Sequence, residues 1–358
     1  MRDGAPETHS LRSMTRGCEY PFLRDFAASW HVAQEAPTAE TMPMAIVDYI
    51  MRTAGTNRRR QLLLYYYFKN KNMKTLKKHR LWCVALLLTT MTTTHAQQNG
   101  SGNPFAAMPQ PSKNTTELWV KNGDRNIYGL VSKPERPGKM KLAIISHGFG
   151  GTHHFGQKYF ELLNSLGYMV YTFDFPCGSM FSRSDNNTLN MSVLDEAQDV
   201  KAIVDHFTRQ ADIDADSVVL VGESQGGLAS ALAAADLQDR INKLILVFPA
   251  LCIPDDWNKR YPDEKLIPDT TMMWNVPIGR RYFAEAKKID VYPAITRYHG
   301  PVLIVHGSKD AVVPVSYAEK AMKAYHNAHL GIIPGAGHGF KPEEERVSQQ
   351  FIREFLEQ

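Results

Sequence analysis

From about residue 117 to the C-terminus, short apolar runs alternate with segments whose apolar residues recur at helical spacing. The first kind of run predicts β-strands and the second predicts amphipathic α-helices. The strand-like runs are KLAIIS, YMVYTFDF, SVVLVGE, KLILVFP, PVLIVHG and HLGIIPG. The helical patterns between and after them are YFELLNSLG, SVLDEAQDVKAIVDHFTRQ, GLASALAAADL, YAEKAMKAYH and EEERVSQQFIREFLEQ.

This alternation of strands and helices predicts an α/β fold with a mostly parallel central sheet and helices on both faces. KLAIIS is apolar throughout, as expected for a strand that is buried on both faces. Before it, ELWVKNG and NIYGLVSKP flank the turn Asn122-Gly123-Asp124 and predict a β-hairpin. The alternation stops between about residues 250 and 300, where Pro, Trp, Tyr and charged residues are frequent. This segment predicts an insertion over the sheet.

The first part of the chain has a different pattern. Residues 73–96, MKTLKKHRLWCVALLLTTMTTTHA, combine a basic start, an apolar stretch and a small residue at the end, the layout of a secretory signal peptide. The apolar stretch is shorter than the about 20 residues that span a bilayer, so no stable membrane anchor is expected. Residues 1–72 would then precede a translation start at Met73, or form an unusual extension. We expect a flexible leader over 97–116, a catalytic domain over 117–358, and a secreted or periplasmic protein.

Charge and cysteine content narrow the function classes. The 358 residues have a net charge of +4, but basic residues exceed acidic ones only in residues 1–96. From residue 97 onward acidic residues predominate, which argues against nucleic-acid binding. Cys177 and Cys252 have no redox or zinc spacing, so two separate thiols are expected, and one disulfide between them is the alternative. The sequence leaves the oligomeric state open.

The first candidate for chemistry is Ser224, in the string GESQGG between SVVLV and a predicted helix. A GxSxG string alone is weak evidence, and a plain turn with an N-capping Ser is the simpler interpretation. At a strand-to-helix turn, however, small flanking residues allow the sharp bend that presents a nucleophilic Ser. The sequence therefore predicts Ser224 as a nucleophile.

Two further reactive groups follow later strands in the chain. Asp310 follows PVLIV in the string HGSKD, and His338 follows HLGII in GAGHGF. Each alone would be read as a turn or surface residue, but the order Ser224, Asp310, His338 at successive strand ends is that of an α/β-hydrolase triad. A Ser hydroxyl needs an imidazole to take its proton, and the imidazole needs a carboxylate to orient it. These three are the predicted catalytic residues.

The loop HGFGG after KLAIIS is the predicted site of oxyanion stabilisation. The backbone amides of Phe149 and Gln225 are the expected donors, because the adjacent glycines let the backbone approach the nucleophile. A simple glycine-rich loop is the alternative, and a phosphate-binding loop is disfavoured because no GK[ST] follows. His147 is interpreted as a structural residue or a substrate contact. The other histidines, including His306, are interpreted as structural or surface residues.

Together HGFGG, GESQGG, HGSKDAVVP and GAGHGF resemble the α/β-hydrolase family, and the GxSQGG form is similar to cinnamoyl and feruloyl esterases and related bacterial acyl esterases. The similarity covers about residues 142–356. The loop PCGS at 176–179 departs from the GHGxS turn of many relatives. The resemblance implies that the insertion at 250–300 is a lid lining an acyl pocket. Candidate substrate contacts there are Asp255, Asp256, Trp257, Trp274 and Tyr282.

These features predict a secreted serine carboxylic ester hydrolase that works through an acyl-enzyme. Feruloyl or cinnamoyl esters and acetyl esters of plant polysaccharides are the expected substrates, and no nucleic acid is an expected partner. No metal or organic cofactor is expected, because HExxH and paired-ligand spacings are missing from the sequence. The alternatives are a serine peptidase similar to prolyl oligopeptidases, which usually carry a large second domain, and a non-catalytic binding protein on the same fold.

Overall fold

The computed structural model describes residues 115–358, and the predictions for residues 1–72, 73–96 and most of 97–116 lie outside them. The predicted hairpin forms, and its first strand begins at Thr115, two residues before the expected start of the domain. The strands of the main sheet are β1 (Thr115–Asn122), β2 (Arg125–Ser132), β3 (Met140–Ser146), β4 (Tyr168–Phe173), β5 (Ile213–Glu223), β6 (Lys243–Val247), β9 (Val302–Gly307) and β10 (Ala328–Ile333). A separate hairpin consists of β7 (Thr270–Met273) and β8 (Val276–Gly279).

The main sheet has the order β1-β2-β4-β3-β5-β6-β9-β10. Strand β2 is antiparallel to β1 and β4, and the remaining neighbours are parallel. Each strand-like run of the sequence therefore becomes a strand of one mostly parallel sheet. Parallel strands end on the same edge, so the loops after β3, β5, β9 and β10 meet there.

Helices cover both faces of this sheet. They are α1 (Phe160–Ser165), α2 (Val193–Thr208), α3 (Gln225–Leu237), α4 (Ile253–Arg260), α5 (Arg280–Ala286), α6 (Val291–Ile295), α7 (Val315–Ala324) and α8 (Pro342–Glu357). A 3₁₀ helix, His153–Tyr159, leads into α1, and α1 lies within the predicted helical pattern YFELLNSLG.

Alternate residues of the central strands pack into two separate apolar clusters, one for each face of the sheet. In β3, Leu142 and Ile144 belong to one cluster, whereas Ala143 and Ile145 belong to the other. This follows from the two-residue period of a strand. Burying a side chain of this size contributes about 1.5–3 kcal/mol, so both faces hold the sheet in place beneath the loops.

The predicted insertion lies between β6 and β9 and contains α4, the β7–β8 hairpin, α5 and α6. Helix α5 packs against α2, and α6 packs against α3. Apolar residues of the insertion, including Ile278, Tyr282 and Phe283, join the cluster on one face of the sheet. The lid is thus part of the core on that side.

Within residues 115–358, no helix combines the length and apolar character needed to cross a bilayer.

Candidate active site

Ser224 lies at a sharp turn between β5 and α3, as the sequence predicts. Its backbone has φ 51° and ψ −119°, a conformation that is strained for a residue with a side chain. The turn is held because the Ser224 amide donates to Val247 (3.1 Å), and its carbonyl accepts from Gly227 (2.9 Å). A side chain at Gly226 would collide with the backbone of Ser146 and His147. The glycines of the motif are therefore required by close packing of the bend.

The three predicted catalytic side chains form one line of hydrogen bonds. His338 Nε2 lies 3.0 Å from Ser224 Oγ, and His338 Nδ1 lies 2.8 Å from Asp310 Oδ2. Because the carboxylate can only accept, Nδ1 carries the proton and Nε2 is free to accept the Ser hydroxyl. The arrangement suits proton transfer from Ser224 to His338.

Asp310 is buried in a cage of four hydrogen-bond donors. Its Oδ1 accepts from the amides of Val312 (2.9 Å) and Val313 (2.8 Å), and its Oδ2 faces His338 and, at 3.3 Å, His306 Nε2. Burial alone would raise the pKa of Asp310, but the hydrogen bonds from His306, His338 and Val313 outweigh it and hold this pKa well below its usual range. Asp310 is therefore a stable anion beside the imidazole.

His306 is a member of the site that the sequence did not identify. Its side chain is fully buried, and its Nε2 lies 2.9 Å from the carbonyl of Val313 as well as near Asp310. Both neighbours are acceptors, so Nε2 carries a proton and is shared between them. His306 has a structural role, but the sequence interpretation did not include its contact with the Asp310 carboxylate. The available signal was its position at the end of β9, four residues before Asp310.

The residues that carry the predicted oxyanion donors lie on two elements next to the nucleophile. Gly148 is so close to Ser224 that a Cβ at this position would lie 3.0 Å from the Ser224 Cβ. The amide of Phe149 follows in the same loop. Gln225 begins α3, where the first N–H groups of a helix have no carbonyl partner within the helix. The loop that carries Phe149 therefore approaches Ser224, and the amide of Gln225 lies at the positive end of the α3 dipole.

The unusual PCGS loop supports the oxyanion loop from outside. The amide of Gly150 donates to the carbonyl of Gly178, and Ser179 Oγ donates to the carbonyl of Gly150, both at 3.0 Å. These bonds fix the backbone that carries Phe149. The departure from the GHGxS pattern therefore keeps a structural contact with the site.

The side chain of His147 stabilises the same loop through two hydrogen bonds. Its side chain is buried, its Nδ1 lies 2.7 Å from the carbonyl of Gly148, and its Nε2 accepts from the amide of Phe175 at 3.1 Å. Burial lowers the pKa of His147, which favours the neutral ring that these bonds need. Both nitrogens are engaged, so the structure contradicts a polar contact between His147 and substrate and supports the structural interpretation.

The Gln225 side chain lies in a buried polar chain. Its Nε2 donates to Glu196 Oε1 (2.8 Å) on α2, and its Oε1 accepts from the Tyr282 hydroxyl (2.6 Å) on α5. Burial raises the pKa of Glu196 to about 8. Tyr282 is only 1% exposed, and its hydroxyl is occupied. The expectation that Tyr282 contacts substrate is therefore corrected, because this side chain packs beneath the lid and binds Gln225.

The other candidate contacts of the lid are dispersed. Trp274 is 67% exposed at the tip of the β7–β8 hairpin, and its ring packs edge-on against Phe149 at 5.4 Å. Trp257 is half-buried and packs against Phe283 at 4.8 Å. Asp255 and Asp256 are both exposed on α4. Of these four residues, the structure brings only Trp274 into contact with the predicted oxyanion loop.

Asp255 accepts a hydrogen bond from the Tyr317 hydroxyl at 2.9 Å, and Asp256 lies beside the Cys252 thiol. Neither carboxylate makes a hydrogen bond to the Ser224, His338 or Asp310 side chains in residues 115–358.

Cys177 and Cys252 are free thiols, as expected, and burial raises the pKa of Cys252. In the same part of the chain, His, Cys, Asp and Glu side chains nowhere form a group of three that could hold a metal ion.

Comparisons with known proteins agree with this architecture. The model of the prolyl oligopeptidase family matches residues 153–358. The chain is 26% identical to the putative esterase/lipase 2 of Mycoplasma pneumoniae, over 63% of this chain and 91% of that protein. It is also 26% identical to an uncharacterized protein of Mycobacterium tuberculosis, over 71% of this chain and 82% of the relative.

Solved structures show the same fold. Est1E from Butyrivibrio proteoclasticus with ferulic acid bound has a TM-score of 0.61 and 28% identity, covering 67% of this chain and 98% of Est1E. The α/β hydrolase GrgF from a Penicillium species has a TM-score of 0.55 and 15% identity, covering 68% of this chain and 98% of GrgF. These likenesses confirm the α/β-hydrolase fold that the motifs predict.

Proposed function

This chain belongs to the prolyl oligopeptidase family, and within that family of hydrolases we propose that it is a serine carboxylic ester hydrolase with Ser224 as nucleophile. The observation that carries the proposal is the continuous hydrogen-bond line from Ser224 through His338 to Asp310. Relatives named as esterases support the ester class.

In the first half of the reaction, Ser224 Oγ attacks the ester carbonyl carbon while its proton passes to His338 Nε2. Asp310 stabilises the imidazolium through Nδ1. The substrate oxygen gains negative charge and is met by the amides of Phe149 and Gln225. When the carbon–oxygen bond to the alcohol breaks, the alcohol leaves with the proton from His338, and the acyl group remains on Ser224.

In the second half, water attacks the acyl-enzyme. His338 Nε2 takes a proton from the water, and the same two amides stabilise the second tetrahedral oxyanion. Collapse of this intermediate breaks the bond to Ser224 Oγ, which takes the proton back from His338. The free acid leaves and the enzyme returns to its starting state.

For the substrate we propose an aromatic acyl ester of the feruloyl or cinnamoyl type, carried on a plant polysaccharide. Est1E binds ferulic acid, and the similarity covers 98% of Est1E and 67% of this chain. The exposed ring of Trp274 beside Phe149 offers an aromatic surface next to the predicted oxyanion loop. Short acyl esters such as acetate are the second choice within the same reaction.

A peptidase is the competing function, because the matching family is named after prolyl oligopeptidases. A panel of methyl ferulate, acetylated xylan, p-nitrophenyl esters and dipeptide nitroanilides separates the two. We expect hydrolysis of methyl ferulate and p-nitrophenyl acetate, lost to background in Ser224→Ala and retained in the control Ser217→Ala, whose hydroxyl binds Asp214 instead. Preferential cleavage of the nitroanilides, or full esterase activity in Ser224→Ala, would refute the proposal.

We also propose that the enzyme is exported after cleavage near Ala96, with translation starting at Met73. The support is the three-part pattern of residues 73–96. Expression from Met73 in a bacterial host should give a periplasmic or secreted product whose N-terminus is Gln97. A product that stays in the cytoplasm with residues 73–96 intact would contradict export.

A further inference from the structure

The side chain of Gln225 is buried to 2% exposure directly beside the nucleophile. Its one oxygen accepts from Tyr282 at 2.6 Å, and its nitrogen donates to Glu196 Oε1 at 2.8 Å and lies 3.6 Å from the sulfur of Met191. Donor and acceptor are therefore both used. Rotating this amide would leave buried polar groups without partners, which is costly in a core. The rotamer of Gln225 is fixed.

The two strong partners come from different parts of the fold. Glu196 lies in the first turn of α2, and Tyr282 lies on α5 of the lid. Residues 196, 225 and 282 are far apart in sequence, so the link depends on the packing of the lid against the rest of the fold. Gln225 is thus held between a rigid helix and the lid.

The backbone N–H of the same residue is the proposed oxyanion donor of α3. A hydrogen bond to an oxyanion depends strongly on distance and direction, and displacement of reacting groups by about 1 Å can cost as much as 10²-fold in rate. Holding the side chain from both sides restricts the position of the Gln225 backbone at the start of the helix. The side chain and the amide are therefore mechanically connected.

We propose that Tyr282 and Glu196 are positioning residues that orient the Gln225 amide toward the oxyanion. Packing of the lid, which carries Tyr282, is thereby coupled to stabilisation of the tetrahedral intermediate. The inference rests on the proposed esterase function. It predicts that disturbing the Tyr282 contact weakens binding of the tetrahedral state while binding of the ground state stays unchanged. A role confined to stability would affect folding alone.

Tyr282→Phe tests the inference, with Tyr298→Phe as the matched control. Both tyrosines are 1% exposed and each hydroxyl donates one hydrogen bond, but the Tyr298 hydroxyl donates to the carbonyl of Ile241. We expect Tyr282→Phe to lower kcat/KM for p-nitrophenyl acetate about tenfold, a part of the effect of deleting an oxyanion donor. Tyr298→Phe should leave kcat/KM within about twofold of wild type, whatever it does to the melting temperature.

Two inhibitors isolate the oxyanion. An aryl trifluoromethyl ketone forms a tetrahedral adduct with a serine nucleophile and carries the oxyanion, whereas the corresponding trifluoromethyl alcohol cannot. In Tyr282→Phe we expect the Ki of the ketone to rise about tenfold and the Ki of the alcohol to stay constant. Equal changes in both inhibitors, or no change in either, would overturn the inference.

The other partner provides a rescue experiment. Glu196→Leu removes the acceptor for Gln225 Nε2 and should reproduce the loss seen in Tyr282→Phe. Glu196→Gln keeps a carbonyl oxygen at this place, so it should restore kcat/KM to within about threefold of wild type. In the double variant Tyr282→Phe/Glu196→Leu, kcat/KM should fall by less than the product of the two single losses, because both substitutions act through one amide. Fully multiplicative losses, or failure of Glu196→Gln to rescue a folded protein, would contradict the shared route.

Failure of the inference and failure of the proposed function give different results. If the wild type does not hydrolyse esters or Ser224→Ala retains the activity, the proposed function is wrong. If wild-type hydrolysis depends on Ser224 but Tyr282→Phe shows unchanged kcat/KM and ketone Ki, only the coupling is wrong. Circular dichroism and melting curves of each variant establish that the proteins compared are folded.

Discussion

Two buried carboxyl groups bind different neighbours of the active-site serine, Asp310 binding His338 and Glu196 binding Gln225, and their pKa values shift in opposite directions. Asp310, on the base side, is 7% exposed and faces four donors: the amides of Val312 and Val313 and the rings of His306 and His338. Glu196, on the oxyanion side, is 1% exposed and has one donor, the neutral amide of Gln225. Its second oxygen has no hydrogen-bond partner among the described residues.

The balance between burial and hydrogen-bond donors differs at these two carboxyl groups. Burial disfavours the charged form of both groups, but the donors lower the pKa of Asp310, whereas burial raises the pKa of Glu196 to about 8. Each state suits its place. An anion beside His338 stabilises the imidazolium, and a neutral acid behind Gln225 adds no negative charge near the developing oxyanion.

The largest expected effect comes from removing the anion on the base side. In Asp310→Asn the side chain can donate to His338 Nδ1 and so stabilise the wrong tautomer, which should lower kcat by roughly 10⁴-fold. Asp212→Asn, which changes an exposed partner of Lys133, is the control and should retain full activity. Steady-state hydrolysis of p-nitrophenyl acetate measures both. A loss below tenfold in Asp310→Asn would show that the carboxylate is not needed as an anion.

A smaller effect should follow from removing one donor of the Asp310 cage. His306→Leu leaves the carbonyl of Val313 and one side of Asp310 without a partner, and we expect kcat/KM to fall about tenfold, which corresponds to about 1.4 kcal/mol. His306→Gln can present an N–H where Nε2 lies and should recover most of this loss. Equal activity of the leucine and glutamine variants would mean that His306 only fills space.

The Glu196 carboxyl group should make the stability of the folded protein depend on pH. Because the folded pKa of Glu196 lies near 8 and that of an unperturbed Glu lies near 4.5, its contribution is complete below pH 4.5 and is lost as pH rises through about 8. The pKa of Glu196 also depends on four neighbouring side chains that remain in Glu196→Gln, namely Asp199, Asp195, Arg125 and Gln225. The drop in melting temperature between pH 5.5 and 8.5 should therefore be a few degrees smaller in Glu196→Gln than in wild type. Parallel curves for the two proteins would refute the raised pKa.

The two sides also differ in how far the sequence predicts them. Ser224, Asp310 and His338 follow apolar runs that become neighbouring strands, and a parallel sheet brings such loops to one edge. The short-range motifs and the strand order were enough to find them. The hairpin and the lid boundaries were predicted from local patterns in the same way.

The oxyanion side depends on contacts that local patterns do not encode. The hydrogen bonds of Gln225 join α2, α3 and α5, and no periodicity in the chain specifies that Glu196 and Tyr282 face the same amide. The lid aromatic Tyr282 was expected at the substrate because exposure cannot be read from residue type. His306 was missed for a similar reason, since its ring reaches Asp310 only through the turn that follows β9.

The most direct test of the central claim is the mass of the protein after reaction with a fluorophosphonate probe, which forms a covalent adduct with an activated serine. The account predicts one adduct on the wild type, mapped by peptide mass spectrometry to Ser224, and no adduct on Ser224→Ala. An unmodified wild type, or equal labelling of wild type and Ser224→Ala, would contradict it.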